Sequence, residues 1–361
     1  MIPHAARGAA AMALAAGTAL PIPGCEQVHE PDLVVFASAD EPVARMIVDR
    51  FQAATGARVV LHLDSEATKT VGLAGRIASD AEVGRSVADV FWSSEHVVMD
   101  DLARSGALEQ LGDAVPRSWP KSLVGGAGAW AGFAGRVRVV VWRTADPPEI
   151  PPSMEALGRA LRPGTTLAVA DPRFGTTRGH VLALAAEVAG RGGAKVWHEW
   201  CDTLAATDPL VLGGGNAAVV DAVASGEADL GLTDSDDALA AIAAGRSLSW
   251  QPIALIDGDG PCGVGSAFVI PNTVAIVRGA PHPDGAREFV RFMLSAEVEA
   301  LLAASASGNR PLGGWDKVDG VMPIGQTCIA QPSMVRASLE AAGVEPLEPL
   351  LAALRGDRSG G

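Results

Sequence analysis

Three carboxylates fall within four residues in the stretch GLTDSDDALAA (231–241): Asp234, Asp236 and Asp237. Neighbouring acids repel one another and resist burial. They either begin a helix facing water or line a site that takes a cation or hydrogen-bond donors. Three other loops end apolar runs in the same way. ASADE (37–41) carries Ser38, Asp40 and Glu41; DSEATKT (64–70) carries Ser65, Glu66 and Thr68; WSSE (92–95) carries Trp92, Ser94 and Glu95. A fifth loop, DPRFGTTRGH (171–180), sets Gly175, Thr176 and Thr177 before an apolar run. Small residues there let backbone N–H groups approach an anion at the positive end of a helix. The Gly-Lys-Ser/Thr ending of a P-loop is missing. GGGNAAVV (213–220) offers Asn216 at another helix start. Each loop has a plainer reading, because Ser, Asp and Asn cap helices and acids favour the first turn. Arg136 and Arg138 share one face of the strand RVRVVVW, where an Arg either reaches a ligand or pairs with an acid.

HEWCD (198–202) places His198 and Asp202 one helical turn apart, but it lacks the second His of a zinc-protease helix. No Ser/His/Asp or Cys/His set and no dinucleotide fingerprint is visible. No catalytic residue and no cofactor is expected, and the chain does not read as an enzyme.

The elements that must position these loops alternate. DLVVFAS, ARVVLHLD and ADVFWSS read as strands; EPVARMIVDRFQAATG, ATKTVGLAGRIASD and EHVVMDDLARSG read as the helices that follow them. A second series holds the strands GRVRVVVW, TTLAVAD and ADLGLTD and the helices GHVLALAAEVAG and NAAVVDAVASG. FVIPNTVAIV and DGAREFVRFMLS close the pattern. This rhythm predicts an α/β fold with a mainly parallel sheet, whose ligands bind at the carboxyl ends of strands.

The chain has 361 residues, 48% of them hydrophobic and 19% charged, with a net charge of −14. It can bury a large core, and its acidity does not suit nucleic acid or anionic lipid. The N-terminus reads as an export signal: Arg7, then AAAMALAAGTAL, then Ile22-Pro23-Gly24-Cys25. The apolar run is too short to span a membrane. Residues 1–25 are therefore expected to be a signal peptide ending in a lipoprotein box, with Cys25 as the lipidation site. Cys201, Cys262 and Cys328 fit no zinc spacing, and one disulfide among them is left open.

ATKTVGL, ADVFWSSE, DPRFGTT, GGGNAAVVDAVASGEADLGLTDSDDA, IPNTVAIVRGAPHPDGAREFVRFMLS and NRPL together resemble the solute-binding proteins of bacterial ABC importers, in the branch containing ferric-iron-binding proteins. The resemblance covers roughly 33–312. It implies a two-lobed periplasmic-binding-protein fold (type 2) with a ligand cleft between lobes joined by hinge strands near 131–142 and 250–270. Lobe one would hold 31–130 and 268–361, and lobe two 131–267. It implies a monomer tethered by lipid on the periplasmic side, an ABC permease as partner, and a small solute as cargo. Glu95, Asp236, Asp237 and Glu41 are the implied metal ligands, with Asp40 as the first-loop alternative to Glu41. Ser38, Glu66, Thr68, Trp92, Ser94, Arg136, Gly175, Thr176, Thr177, Asn216 and Asp234 are the other implied ligand contacts. One departure is plain. The relatives ligate iron through a Tyr pair where this chain has Asp236 and Asp237, and the chain contains no Tyr. Carboxylates suit Ca²⁺, Mg²⁺ or Mn²⁺ and also accept Fe³⁺. The same cleft could hold an amine, a polyol, or a phosphate or phosphonate at GTT.

Overall fold

The computed structural model describes residues 32–64, 71–259, 262–313 and 326–355. The signal segment with Cys25, and Ser65, Glu66 and Thr68, lie outside the described residues. The first half runs β1 (Leu33–Ser38), α1 (Glu41–Thr55), β2 (Val59–Leu63), α2 (Val71–Glu82), β3 (Val90–Ser93) and α3 (His96–Arg104). β1 pairs with β2 and β3 in parallel, through Leu33↔Val59 and Val35↔Val90. Every residue of β1 and β3 is buried, as expected for strands covered on both faces. α1 opens with Pro42 in its first turn and stops at Gly56, whose φ of 77° suits only glycine well.

After the short β4 (Val124–Gly125) comes β5 (Trp130–Arg143), the longest strand described. The second half then holds α4 (Leu157–Ala160), β6 (Leu167–Ala170), α5 (Gly175–Ala205), β7 (Leu210–Leu212), α6 (Gly215–Ser225), β8 (Leu230–Asp234), α7 (Ser235–Ala243) and β9 (Leu248–Pro252). β10 (Ser266–Ile276) leads back to α8 (Pro283–Met293) and α9 (Ala296–Ala304). β11 (Gln326–Cys328), α10 (Pro332–Ala342) and α11 (Leu347–Leu354) follow.

The strands order as β2-β1-β3-β10-β5-β8-β6-β7, and β5 and β10 pair antiparallel at the centre. β5 changes partners along its length. Trp130–Val137 pair with β10, and Arg138–Trp142 pair with β8. It thus passes from the first half's core, built on Val35, Phe51, Trp92, Phe133 and Phe289, to a second core around Val140, Leu167, Leu184, Trp197 and Leu232. β5 matches the expected hinge strand at 131–142. The other central strand is β10, while residues 248–252 form β9 on the second-half side of β5.

The C-terminal segment, expected with the first half as part of 268–361, touches both halves: Arg336 pairs with Asp100 at 3.0 Å and Asp101 at 3.1 Å on α3. Leu339, Val344 and Leu350 share the core of α5 with Trp197 and Trp200, and Trp197 Nε1 donates to the Pro346 carbonyl at 3.1 Å. The reason is apolar: α5 continues past a break at Gly193 and presents the two stacked tryptophans of the HEWCD region, which α10 and α11 cover. His198 faces outward and takes no part in a site. A disulfide joins Cys262 to Cys328, while Cys201 is free and buried. Among the described residues no helix is long and apolar enough to cross a membrane.

Candidate functional site

Among the described residues, six helices begin at one cleft of about 370 Å³, α2 reaching it through Gly72. The residues that immediately precede α1, α3, α5, α6 and α7 are Asp40, Glu95, Phe174, Gly214 and Asp234, and all five line it. In none of them does the side chain cap its own helix. The acids in these loops are therefore not explained as caps. They face the positive ends of several helices, which favours negative charge there. Asp40, Ser94 and Glu95 come from the first half; Gly175, Thr176, Thr177, Asn216, Asp234, Asp236 and Asp237 come from the second. Arg136 lies between them on β5.

Three sequence candidates lie elsewhere. Trp92 is wholly buried and packs near Phe133, because β3 is covered on both faces. Ser38 is sealed at the end of β1, where its carbonyl accepts from Ser94 N–H at 3.0 Å. Glu41 is exposed and lies back along its helix to pair with Arg45, one turn on, at 2.7 Å. Asp40 occupies the position that Glu41 was expected to fill. Phe174 and the glycines 213–215 also line the cleft and were not anticipated. Phe174 sits in the quoted DPRFGTT loop, but nothing local distinguishes an exposed cleft aromatic from a core one.

The second-half wall is tied together by Arg138, the Arg of RVRVVVW that takes the acid-pairing course. Its side chain is fully buried. Nη1 donates to Asp234 Oδ1 and to Asn216 Oδ1, each at 3.0 Å, and Nη2 donates to Thr177 Oγ1 and the Leu232 carbonyl, each at 3.2 Å. Asp234 Oδ2 accepts from the Thr176 hydroxyl and from Asn216 Nδ2. The side chains of Thr176, Thr177 and Asn216, expected to hold an anion, thus bind one another, Arg138 and Asp234. Gly175, with φ of 62°, turns the chain into α5 with only Glu95 Oε1 near the space a side chain would fill.

Asp234, Asp236 and Asp237 can each place one oxygen within 4.8 Å of the others, a spacing that suits a hard cation. Their surroundings differ. Asp234 is saturated by Arg138, Thr176 and Asn216. Asp236 lies 2.9 Å from Arg136 Nε. Burial pushes its carboxyl up to about 6 against the pull of Arg136, with Asp234 and Asp40 adding to the rise. Asp237 is pushed well above the usual carboxylate range by burial first, then by the charges of Asp236, Asp234 and Asp40. Both rises come first from burial, and the neighbouring carboxylates add to them.

A two-lobed α/β fold with central crossing strands and an acid-lined cleft where the lobes meet defines a solute-binding protein. The chain belongs to the family of bacterial extracellular solute-binding proteins, whose model matches residues 33–305. No curated protein matches the sequence. Among solved structures, iron-bound HitA from Pseudomonas aeruginosa is 23% identical, with a TM-score of 0.70 over 90% of this chain and 98% of that one. The ferric binding protein from Campylobacter jejuni is 16% identical, with a TM-score of 0.71 over 89% and 99%. The Trichodesmium protein IdiA (FutA), in complex with iron and citrate, is 19% identical, with a TM-score of 0.65 over 86% and 97%. At these identities the likeness is one of fold.

Proposed function

We propose that this chain is the receptor of an ABC importer, and that it captures a cation, a metal ion foremost, with a small companion anion. The carrying observation is the convergence of Asp40 and Glu95 from one half with Asp236 and Asp237 from the other on a single cleft. A cation between them offsets the repulsion that closing the cleft would otherwise raise. The solved structures named for iron support a hard cation as cargo, with Asp236 and Asp237 standing where the resemblance places a Tyr pair. Lobe one comprises 31–130 and 268–313, and lobe two 131–267 with the C-terminal helices. The lobes close by hinge motion about β5 and β10. A monomer, exported and tethered through lipidated Cys25, presents the closed form to a membrane permease. No catalytic step is assigned.

The test is thermal unfolding of the chelator-stripped protein with Fe³⁺–citrate, Mn²⁺, Ca²⁺, spermidine and glucose 6-phosphate. A ligand at a hundredfold over its Kd adds about 2.7 kcal/mol to the folded state. A cation should raise Tm by a few degrees, and Asp237→Asn should abolish that shift. A shift with glucose 6-phosphate alone would overturn the cation reading. Two features favour this second reading, an organic or phosphorylated solute. The cleft volume of about 370 Å³ falls in the small-molecule range. Phe174 also presents an exposed ring at the cleft, with the Arg173 guanidinium 5.2 Å from its centroid.

A further inference from the structure

Arg136 is a buried cation in a cleft that the preceding section assigns to a cationic solute. Its side chain is only 10% exposed. Nη1 donates to the Ser94 carbonyl at 3.3 Å, and Nη2 to Asn272 Oδ1 at 3.1 Å. Asn272 is held in turn by the Ala134 carbonyl and by Asn309 Oδ1. Both aligned bonds therefore go to neutral oxygens of a fixed frame on β10 and the first half. The contact with Asp236 is of another kind. Nε lies 2.9 Å from Oδ2 but makes no aligned hydrogen bond with it. That attraction is charge without direction, so Asp236 can turn to a solute while the guanidinium stays in place.

We propose that Arg136 is a specificity-determining residue. It is a resident positive charge that admits cations of low net charge, such as divalent ions or metal ions offset by an anion, and disfavours bare trivalent ions. The proposal rests on the cation reading of the cleft. Two facts carry it. The guanidinium is fixed independently of the acids, so it does not leave when a solute arrives. It also lies against Asp236, so it repels whatever that carboxylate binds. Repulsion between fixed charges scales with the charge of the ion. Arg138, two residues on, does not play this role, because Asp234, Asn216 and Thr177 enclose it.

The experiment is calorimetric titration with Tb³⁺ and with Ca²⁺, hard ions of similar size and different charge. The proteins are wild type, Arg136→Met, Arg136→Gln, Arg136→Lys and Asp237→Asn, each first checked for a cooperative melt. The two neutral variants guard against a fold lost in one of them. Both should bind Tb³⁺ about tenfold or more tightly than wild type, with a smaller gain for Ca²⁺. Arg136→Lys, which keeps the charge, should stay within about threefold of wild type for both ions. A merely structural Arg136 would loosen or leave both ions alike in the neutral variants. That result, with Tb³⁺ binding still lost in Asp237→Asn, overturns the role of Arg136 and leaves the cation reading standing. No binding of either ion by wild type or the neutral variants overturns both.

Discussion

Two Arg–Asp pairs stand two residues apart on β5 and serve different ends. Arg138 and Asp234 are sealed, at 0% and 2% side-chain exposure, and both terminal nitrogens of Arg138 are hydrogen-bonded within the second half, only its Nε lacking a partner. Arg136 and Asp236 lie at the cleft, where the guanidinium reaches both halves and the carboxylate accepts from Asp237 N–H at 3.2 Å but makes no aligned bond with Arg136 Nε. A buried pair bonded through both terminal nitrogens and both carboxylate oxygens costs desolvation and returns geometry, holding three helix starts in fixed relation. An incompletely matched pair leaves charge for a third party. The contrast explains why one acid of the DSDD stretch belongs to the scaffold while its neighbours line the cleft.

The largest effect should come from breaking the sealed pair. Arg138→Met leaves Asp234 buried with no counter-charge and should cost about 3–5 kcal/mol of stability in urea unfolding. Adding Asp234→Leu should recover much of that loss. If Arg138→Met costs under about 1 kcal/mol, the two pairs are not different in kind.

Titration separates the pairs next. Asp236 has a folded value of about 6, above its unfolded value of about 3.9. Between these the native state binds more protons than the unfolded one, so this group's contribution falls as pH rises through about 6. The shift is worth at most about 3 kcal/mol. Burial is its first cause, and Arg136, Asp234, Asp40 and Asp237 are the charges that face it. Melting of the ligand-free protein at pH 5 and pH 7.5 should show a drop that Asp236→Asn reduces. Equal drops in both proteins would remove Asp236 as a titrating group.

The smallest effect tests how the sealed pair is shared. Thr177→Val removes one acceptor of Arg138 and nothing that touches Asp234 directly. It should cost about 1 kcal/mol in the same unfolding experiment. A loss of 3 kcal/mol or more would make Thr177 a principal partner and redraw the hub.

The sequence marked the loops well and their partnerships poorly. WSSE, DPRFGTT, GGGN and TDSDD each announced a strand end followed by a helix start, and these loops meet at the cleft. That reading was local, and local rules of strand ends and helix starts suffice for it. Glu41 shows the limit. A one-residue difference from Asp40 decides between cleft and solvent, and only the helix's exact entry fixes it. Arg138 shows a deeper one. Its pairing with Asp234 spans 96 residues and depends on the β5–β8 register that sets the two opposite each other. No composition or spacing carries that register.

The amino-acid sequence by itself determined the alternating α/β build, the acidity of the chain, the absence of any Tyr to bind iron, and which loops end strands. These follow from side-chain periodicity and residue type, which are properties of short segments. The tertiary structure alone decided that Thr176 and Asn216 bond to Asp234 and Thr177 to Arg138, and that the C-terminal helices cover α5. It also put Arg136 against an acid of the cleft while Arg138 was sealed two residues away. The reason is physical. A charge's role depends on which partners and how much water surround it, and distant segments supply both only when the chain has folded.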